Sequence, residues 1–282
     1  MLAPSPRTLV EGPTTATHKI HAHDDLHPLP ADLGAALAEG WTTDTLLDDS
    51  AWSLADEGAA YVAQAELAKR LDWLSPGRVQ FWKCGGSSRD GALGSSPLPP
   101  MRAREVRGLR NGGDFSEFTL VGAEAEIALR LGQDVTPEMA AALVPGQAEH
   151  LIDAMCVAVE WLGSRWQRGL AADNTLRLAD AQTHGALALG PWQAWKPGHD
   201  WANQPCELIV EGQPPMGGVG GHGLNDPAWV MAGWLQIATR GGQTVPAGSV
   251  VTTGSWRVAT KLAKGSTVTA RYEGLGELTV RA

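Results

Sequence analysis

The chain has 282 residues, of which 43% are hydrophobic, so it can bury a full core as one large domain or as one domain with an appendage. Its formal net charge of -9 and its lack of any lysine- or arginine-rich run argue against a nucleic-acid or membrane-surface partner, because both need a basic footprint. No apolar stretch is long enough to span a membrane, and residues 1–7 lack the pattern of a signal peptide. We therefore expect a cytoplasmic protein that acts on small molecules.

Residues 1 to about 30 are rich in proline, threonine and histidine and show no periodicity, which predicts an extended arm. The arm contains His18, His21, His23 and His27. Their spacing matches no established zinc pattern, so we assign no metal site there, and a transition-metal site stays the alternative. The cysteines Cys84, Cys156 and Cys206 are odd in number and widely spaced, which favours reduced, buried thiols over disulfides or zinc.

Residues 31–72 have a helical pattern. Ser53 is placed to cap a helix that carries Asp56 in its first turn. The turn-forming residues that begin at Ser75 predict the end of this helix.

After residue 76 glycine and proline become frequent and short β-like runs dominate. The predicted strands are 78–82, 118–131, 154–161, 206–211, 249–253 and 266–272. Further helices are predicted over 137–154 and after Asp226, which is followed by a proline at the first helical position. The sequence therefore indicates an α+β chain with an N-terminal arm and helical segment, 1–75, and a β-rich catalytic domain, 76–282.

Two glutamates one residue apart, Glu124 and Glu126, are the most informative feature of the chain. They lie in a stretch whose odd positions are apolar, so a strand there puts both carboxylates on the opposite face. Taken alone, this pattern is also typical of a solvated strand face. A third acid, Glu160, occurs in another strand-like run, and three carboxylates from two strands would make a ligand set for Mg²⁺ or Mn²⁺, which relieves their repulsion.

Two further segments carry candidate groups. Lys83 follows the predicted strand 78–82 and precedes a glycine- and serine-rich stretch, so it is either a solvated charge or a catalytic or anion-binding group. Residues 218–223, GVGGHG, fit the dinucleotide pattern G-x-G-x-x-G, but no acid lies about twenty residues on to hold a ribose. We favour a flexible loop before a helix, whose backbone N–H groups face an anionic substrate.

Several stretches together resemble the fumarylacetoacetate hydrolase superfamily, and most closely its branch of 2-keto-4-pentenoate hydratases and oxalocrotonate decarboxylases. The matching stretches are 82–88 (WKCGGSS), 122–131 (GAEAEIALRL), 160–166 (EWLGSRW), 179–190 (ADAQTHGALALG) and 250–255 (VVTTGS). They occur in the family's order and span roughly residues 55 to 280. Each piece alone is weak, whereas the combination is specific.

The resemblance implies a mixed, mainly β roll with a helical N-terminal segment, and a divalent cation, Mg²⁺ or Mn²⁺, held by Glu124, Glu126 and Glu160. In such a site the cation chelates the carboxylate and keto oxygens of a 2-oxo acid, and Lys83 assists proton transfer or enol stabilisation. The remaining candidates near the substrate are Arg165 and Asp180 as catalytic residues, and Ser87, Ser88 and Thr253 as substrate-binding residues. The resemblance also implies a homo-oligomer.

The chain departs from the family's pattern in three places. The segment 94–101, where hydratases of this branch usually carry an acid, has none. Gly163 stands where the pattern has an aspartate. The His-x-x-Glu pair with which the hydrolytic members activate water does not occur in the N-terminal region.

The leading hypothesis is a metal-dependent lyase that hydrates or decarboxylates a small 2-oxo acid through a metal-stabilised enolate. The second is a carbon–carbon hydrolase of acylpyruvates. The third is a ligand-binding homologue that kept the fold and lost the catalytic base, for which the missing acid in 94–101 is the support.

Overall fold

The structure is a computed structural model that describes residues 29–282. The α-helices in this range are α1 (Pro30–Thr43), α2 (Glu57–Arg70), α3 (Pro137–Ala141), α4 (Asn174–Ala179) and α5 (Val230–Ala238). The strands are β1 (Phe81–Gly85), β2 (Gly94–Leu98), β3 (Ala103–Glu105), β4 (Gly122–Leu131), β5 (Ile152–Leu162), β6 (His184–Leu189), β7 (Gln193–Ala194), β8 (Pro205–Val210), β9 (Met216–Val219), β10 (Val250–Thr252), β11 (Arg257–Ala259), β12 (Thr267–Tyr272) and β13 (Gly276–Arg281). The arm with its four histidines lies outside the described residues.

The strands form two sheets. A nine-stranded mixed sheet has the order β2-β1-β10-β4-β5-β6-β3, with β11 also paired to β4 and β7 to β5. A four-stranded antiparallel sheet has the order β13-β12-β8-β9. The predicted fold class is confirmed: the chain is α+β, a mixed and mainly β roll preceded by helices.

The long antiparallel pair β4–β5 is the centre of the molecule. Odd-numbered residues of β4, from Ala123 to Leu131, and of β5, from Met155 to Trp161, lie in the main core together with apolar side chains of the four-stranded sheet. The opposite face carries a smaller apolar cluster that includes Ala128, Cys156 and Ala158, and beyond it the glutamates. The apolar alternation therefore predicted correctly which face of β4 packs and which carries the acids.

Helices α1 and α2 pack against each other and against the segment that precedes β6. Apolar side chains of both helices form a second core cluster, which includes Leu33 and Leu67 from the helices and Trp166 and Leu176 from that segment. Gln64 of α2 donates hydrogen bonds from Nε2 to Ser96 Oγ at 2.6 Å and to the Leu178 carbonyl oxygen at 2.8 Å. The helical segment is thus attached both to the edge strand β2 and to the neighbourhood of α4.

The predicted ends of α2 were wrong. Asp56, and not Ser53, is the N-cap residue, because its carboxylate accepts a hydrogen bond from the Ala59 N–H at 2.9 Å. The helix ends at Arg70, and turns rather than helix lead from there to Ser75.

The helix predicted over 137–154 was also wrong in most of its length. Only Pro137–Ala141 is α-helical, because a proline and Gly146, which has a φ of 76°, interrupt the pattern, and a single 3₁₀ turn, Glu149–Leu151, precedes β5. The segment 94–98, for which no strand was predicted, is β2, and it tolerates Pro97 because β2 lies at the edge of its sheet.

Other predictions were correct. The Asp226 carboxylate accepts a hydrogen bond from the Ala228 N–H at 2.9 Å and so caps the 3₁₀ turn that leads into α5. The three cysteines are free and buried. In residues 29–282, no helix combines the length and the apolar character that crossing a bilayer would need.

The start of β6 lies so close to the end of β5 that there is no room for a side chain at Gly185. A substitution there tests the packing of this region. A Cβ added to Gly185 would lie 2.8 Å from a Leu120 methyl group and 3.0 Å from the Trp161 carbonyl oxygen. Because one contact is backbone, Gly185→Ala has to displace β6, and we expect it to lower the free energy of unfolding by about 1–3 kcal/mol. Chemical denaturation measures this change.

Gly58→Ala is the control for this prediction. A Cβ at Gly58 would lie 3.1 Å from the capping oxygen of Asp56 and near no backbone atom, and the better helix propensity of alanine offsets this contact. We expect this variant to match wild-type stability. Equal free energies of unfolding for the two variants would contradict the close approach of the paired strands β5 and β6 at Gly185.

Candidate active site

The pairing of β4 with β5 brings the three glutamates together. Glu124 lies directly opposite Glu160, and Glu126 lies two residues further along the same face of β4. One carboxylate oxygen of each residue lies within 4.8 Å of those of the other two. Glu126 and Glu160 are only 1% and 0% exposed, and Glu124 is partly buried. The glutamates therefore do not form a solvated strand face.

Burial and mutual repulsion disfavour charge on two of these acids. Burial, with the charge of Glu160 adding to it, raises the pKa of Glu124 to about 7, although Lys83 opposes the shift. Burial and the two neighbouring carboxylates raise the pKa of Glu126 well above its usual value. Ionising all three acids at neutral pH therefore requires a positive charge among them.

Lys83 supplies part of that charge. Its Nζ donates hydrogen bonds to Glu160 Oε1 at 2.6 Å and to the Gln182 carbonyl oxygen at 3.2 Å. Burial alone would lower the pKa of Lys83, but the three glutamates outweigh it and raise that pKa to about 12. Burial likewise opposes ionisation of Glu160, yet Lys83 and a neighbouring histidine lower its pKa to about 2. Lys83 and Glu160 are therefore a buried ion pair.

The contact between Lys83 and Glu160 depends on the curl of the large sheet. Strands β10 and β4 lie between β1 and β5, so in a flat sheet the two backbones would be about 14 Å apart, beyond the reach of a lysine side chain. Lys83 occupies the middle of β1 rather than the end of a strand, because β1 runs three residues later than predicted. Its side chain therefore points onto the face that carries the acids.

His184, at the start of β6, is a second partner of Glu160 that the sequence reasoning missed. Its Nδ1 lies 3.0 Å from Glu160 Oε1, and its side chain is fully buried. Burial lowers the pKa of His184, so the ring is neutral, and because an ionised carboxylate only accepts hydrogen bonds, Nδ1 carries the proton. Thr252 Oγ1 lies 3.3 Å from the other oxygen, Oε2, as a donor. Glu160 is thus held at both oxygens.

Arg165 and Asp180 lie behind His184 and do not line the cavity at the glutamates. The Arg165 side-chain Nε and backbone N–H donate to the Asp180 carboxylate at 2.7 and 2.9 Å, and Trp41 Nε1 donates to it at 2.9 Å. Arg165 also donates from Nη2 to the His184 carbonyl oxygen at 2.8 Å. Each of these two side chains is buried against the other, so neither lies in the cavity wall.

A cavity of about 520 Å³ opens over the glutamates. Its walls are Lys83, Cys84, Gly85, Gly86, Ser87, Glu124, Glu126, Gln182, Gly221, His222, Gly223, Gly254 and Ser255. Of the predicted substrate-binding residues, Ser87 lies in this wall and Ser88 does not. Thr253 also lies outside this wall, and its side chain is occupied elsewhere, because Oγ1 donates a hydrogen bond to the Ile127 carbonyl oxygen at 2.8 Å. The next residue, Gly254, donates its N–H to Glu126 Oε2 at 3.0 Å.

The glycine-rich loop 220–223 forms one side of the cavity, and no dinucleotide-binding turn occurs there because β9 pairs antiparallel with β8. A Cβ at Gly223 would lie 2.4 Å from the Gly86 carbonyl oxygen, so the two glycine-rich loops approach each other closely. His222 Nε2 donates to the Thr253 carbonyl oxygen at 2.7 Å, and burial lowers the pKa of His222 to about 4. The sequence indicated this loop but not the fixed, neutral His222 within it.

The comparisons with known proteins agree with this architecture. Residues 106–282 match the family model described as fumarylacetoacetate (FAA) hydrolase C-terminal. The chain belongs to the fumarylacetoacetate hydrolase family. This match covers the strands from β4 onward and therefore the three glutamates, while Lys83 lies before it.

A 4-oxalocrotonate decarboxylase from Pseudomonas sp. is 24% identical over 250 residues, which are 87% of this chain and 93% of that protein. Among solved structures, 4-oxalocrotonate decarboxylase from Pseudomonas putida G7, complexed with magnesium and adipate, has a TM-score of 0.70 at 19% identity over 89% of this chain and 96% of its own. The same enzyme complexed with calcium and acetate has a TM-score of 0.68 with the same coverage. These similarities extend through the N-terminal helices and show the shared fold.

The ion pair of Arg165 and Asp180 is open to a stability test. Asp180→Asn leaves Arg165 buried without its counter-charge, so we expect the free energy of unfolding to fall by about 3–5 kcal/mol. The matched control is Asp153→Asn, which breaks the exposed pair with Arg130 and is expected to cost at most about 1 kcal/mol. Urea denaturation of both variants gives the difference, and equal losses would contradict a structural role for Asp180.

Proposed function

We propose that this protein is a divalent-metal-dependent lyase that acts on a small 2-oxo acid, in the manner of the 2-keto-4-pentenoate hydratases and oxalocrotonate decarboxylases. The observation that carries the proposal is the cluster of Glu124, Glu126 and Glu160 at the base of a cavity, with Lys83 paired to Glu160 at 2.6 Å. Its similarity to 4-oxalocrotonate decarboxylase over 87% of the chain supports the same reaction class.

The donor set fits a hard divalent cation. Three carboxylates supply oxygen ligands only, which suits Mg²⁺ or Mn²⁺, and one oxygen of each lies within 4.8 Å of the other two, so small side-chain shifts would let one ion contact all three. Three negative charges and one lysine leave an excess of about -2, which a divalent ion cancels. A bound Mg²⁺ or Mn²⁺ would act as a Lewis acid that polarises the 2-oxo group and makes its enolate accessible.

Lys83 is the group that we assign to the developing negative charge of the substrate. In the metal-free site, despite burial, the glutamates raise its pKa to about 12, and its ion pair with Glu160 keeps Lys83 protonated at neutral pH, so it donates a hydrogen bond or a proton rather than accepting one. It lines the cavity and is held by Glu160 and the Gln182 carbonyl oxygen. A cation fixed in this way stabilises an enolate without having to reorganise.

We assign His184, Arg165 and Asp180 to positioning. His184 orients Glu160, and Arg165 fixes the backbone of His184 while Asp180 holds Arg165. Such outer contacts set the orientation of a metal-binding carboxylate. Ser87 and the loop 220–223 remain the groups available to the substrate's polar oxygens.

Within the proposed class, the cavity wall favours decarboxylation over hydration. Hydration needs a base that activates water, yet the carboxylates in the wall are Glu124 and Glu126, which we assign to the metal. The remaining candidate in the wall, His222, is a weak base, because burial lowers its pKa to about 4, and its unprotonated Nδ1 is buried. The segment 94–98 is the strand β2 and brings no acid to the site. Loss of carbon dioxide needs no such base.

Two alternatives remain for experiment. Hydrolysis of an acylpyruvate would need a water-activating histidine and glutamate pair, and residues 29–149 contain no histidine. An inactive ligand-binding homologue would bind metal and a 2-oxo acid without turnover.

The homo-oligomeric state, the cytoplasmic location and the division of the chain at residue 75 also stay predictions.

Removal of the Lys83 charge tests the catalytic assignment. For Lys83→Met we expect kcat for the decarboxylation of a 2-oxo acid to fall by about 10²–10³-fold, because the fixed positive charge beside the enolate is lost. Oxalate binding, measured calorimetrically with Mg²⁺ present, is expected to persist. Lys69→Met, which removes an exposed lysine on α2, is the control and should retain full activity. Wild-type kcat in Lys83→Met would rule out the assignment.

Metal binding is expected to depend on pH in a defined direction. The pKa of Glu124 is raised from 4.5 to about 7, so below pH 7 the metal-free site carries protons that a cation must displace. Affinity for Mg²⁺ should therefore rise between about pH 5 and pH 7, with proton release on binding.

Calorimetry in buffers of different ionisation enthalpy counts these protons. Glu124→Gln, which has no proton to release at this position, should release fewer protons than the wild type at pH 6. Binding without proton release in the wild type at this pH would contradict the protonated state of the metal-free site.

A further inference from the structure

The loop 220–223 forms one side of the cavity over the three glutamates, which we call the glutamate cavity. Gly221, His222 and Gly223 line it, and the backbone N–H groups of these three residues have no hydrogen-bond partner among residues 29–282. Gly220 and Gly221 have φ values of 61° and 111°, and two successive glycines give a backbone that moves easily unless other contacts hold it. The position of this wall therefore has to be fixed from outside the loop.

Arg257 contacts the loop without lining the cavity itself. Its Nη1 donates hydrogen bonds to the Gly220 carbonyl oxygen at 2.9 Å and to the Trp256 carbonyl oxygen at 2.6 Å. A Cβ at Gly221 would lie 2.1 Å from Nη1, and a Cβ at Gly218 would lie 2.8 Å from Nη2. The guanidinium group is therefore packed against the loop backbone, and the glycines make this close approach possible.

The backbone of Arg257 is anchored beside the glutamates. Arg257 begins β11, which pairs antiparallel with β4 in a register that sets Arg257 opposite Ala125 and Val258 opposite Glu124. The Trp256 N–H also donates to the Ala125 carbonyl oxygen at 2.9 Å. Ala125 lies between the two glutamates of β4. A single side chain therefore links the loop directly to the strand that carries two of the three acids.

The positive charge of Arg257 has no close counter-ion. No carboxylate of residues 29–282 lies within 4.0 Å of its guanidinium group. Because Gly221 lines the cavity and packs on the guanidinium group, only the backbone of one residue separates this charge from the cavity. A positive charge at such short range offsets part of the repulsion that the glutamates exert on an anionic ligand.

We propose that Arg257 is a positioning residue that holds the loop 220–223 against the glutamate site and thereby sets the affinity for an anionic substrate. This inference rests on the proposed function, in which the loop faces a 2-oxo acid bound at the cation. Arg257 contacts none of the three glutamate carboxylates, so its loss leaves the metal ligands in place and alters the wall beside them. The affinity for the metal and the affinity for the ligand should therefore respond differently.

The test measures the binding of Mg²⁺, and of oxalate to the magnesium-loaded protein, by calorimetry in the wild type and in Arg257→Leu. We expect the affinity for Mg²⁺ to stay unchanged and the affinity for oxalate to fall about tenfold, the range of one charge-assisted hydrogen bond. Hydrogen exchange followed by mass spectrometry should show faster exchange of the amides in 218–223. Arg257→Lys keeps the charge and a donor, so both properties should lie between those of the wild type and Arg257→Leu.

The matched control is Arg271→Leu, which removes an arginine from the exposed surface of β12, where its partners are Glu207 and Glu277. This variant should bind Mg²⁺ and oxalate as the wild type does.

Unchanged oxalate affinity in Arg257→Leu, or an equal loss of Mg²⁺ and oxalate affinity, overturns the role of Arg257. The proposed function stands in both cases, because the wild type binds oxalate. If Arg257→Leu does not fold, wild-type oxalate affinity and wild-type loop exchange in Arg257→Lys overturn that role instead. If the wild type binds no oxalate with Mg²⁺ present, both proposals fall together.

Discussion

Three carboxylates are buried together on one face of two adjacent strands, and the contacts around them define the site. The register that sets Glu124 opposite Glu160 forces like charges together, and burial makes their separation from water costly. The structure compensates locally: Lys83, His184 and Thr252 contact Glu160, and a backbone N–H contacts Glu126. One lysine cannot balance three acids, and the remaining negative charge is what a divalent cation would neutralise.

The N-terminal helices contact the residues that support Glu160 on the side away from the cavity. Trp41 of α1 donates a hydrogen bond to Asp180 and packs its ring 3.7 Å from the Arg165 guanidinium carbon, and Arg165 in turn holds the His184 backbone. A chain of contacts therefore runs from α1 to Glu160, although none of α1 to α5 lines the glutamate cavity. Helices α2 and α4 instead line a neighbouring cavity of about 320 Å³, so the helices both support the acids and shape the space beside them.

Local patterns predicted much of the fold and the central acids, because a period of two in apolar residues fixes the face of a strand whatever its partners are. Its position before a glycine- and serine-rich stretch made Lys83 a candidate and the family resemblance gave it a role, yet only the curl of the sheet explains its contact with Glu160. Three features could not be read from local patterns: the roles of His184 and His222 and the left-handed conformation of Gln182, which has a φ of 53°. Each depends on residues distant in sequence, and the pairing of Arg165 with Asp180 away from the cavity is a non-local outcome of the same kind.

Calorimetric titration of the metal-stripped protein with Mg²⁺ or Mn²⁺, with and without oxalate, determines whether the three glutamates bind one divalent cation. We expect one ion per chain, tighter binding with oxalate, and loss of binding in Glu126→Gln. The control Glu138→Gln, which changes an exposed glutamate of α3, should bind as the wild type does. Absence of metal binding in the wild type, or unchanged binding in Glu126→Gln, would show that the three glutamates are not a metal site.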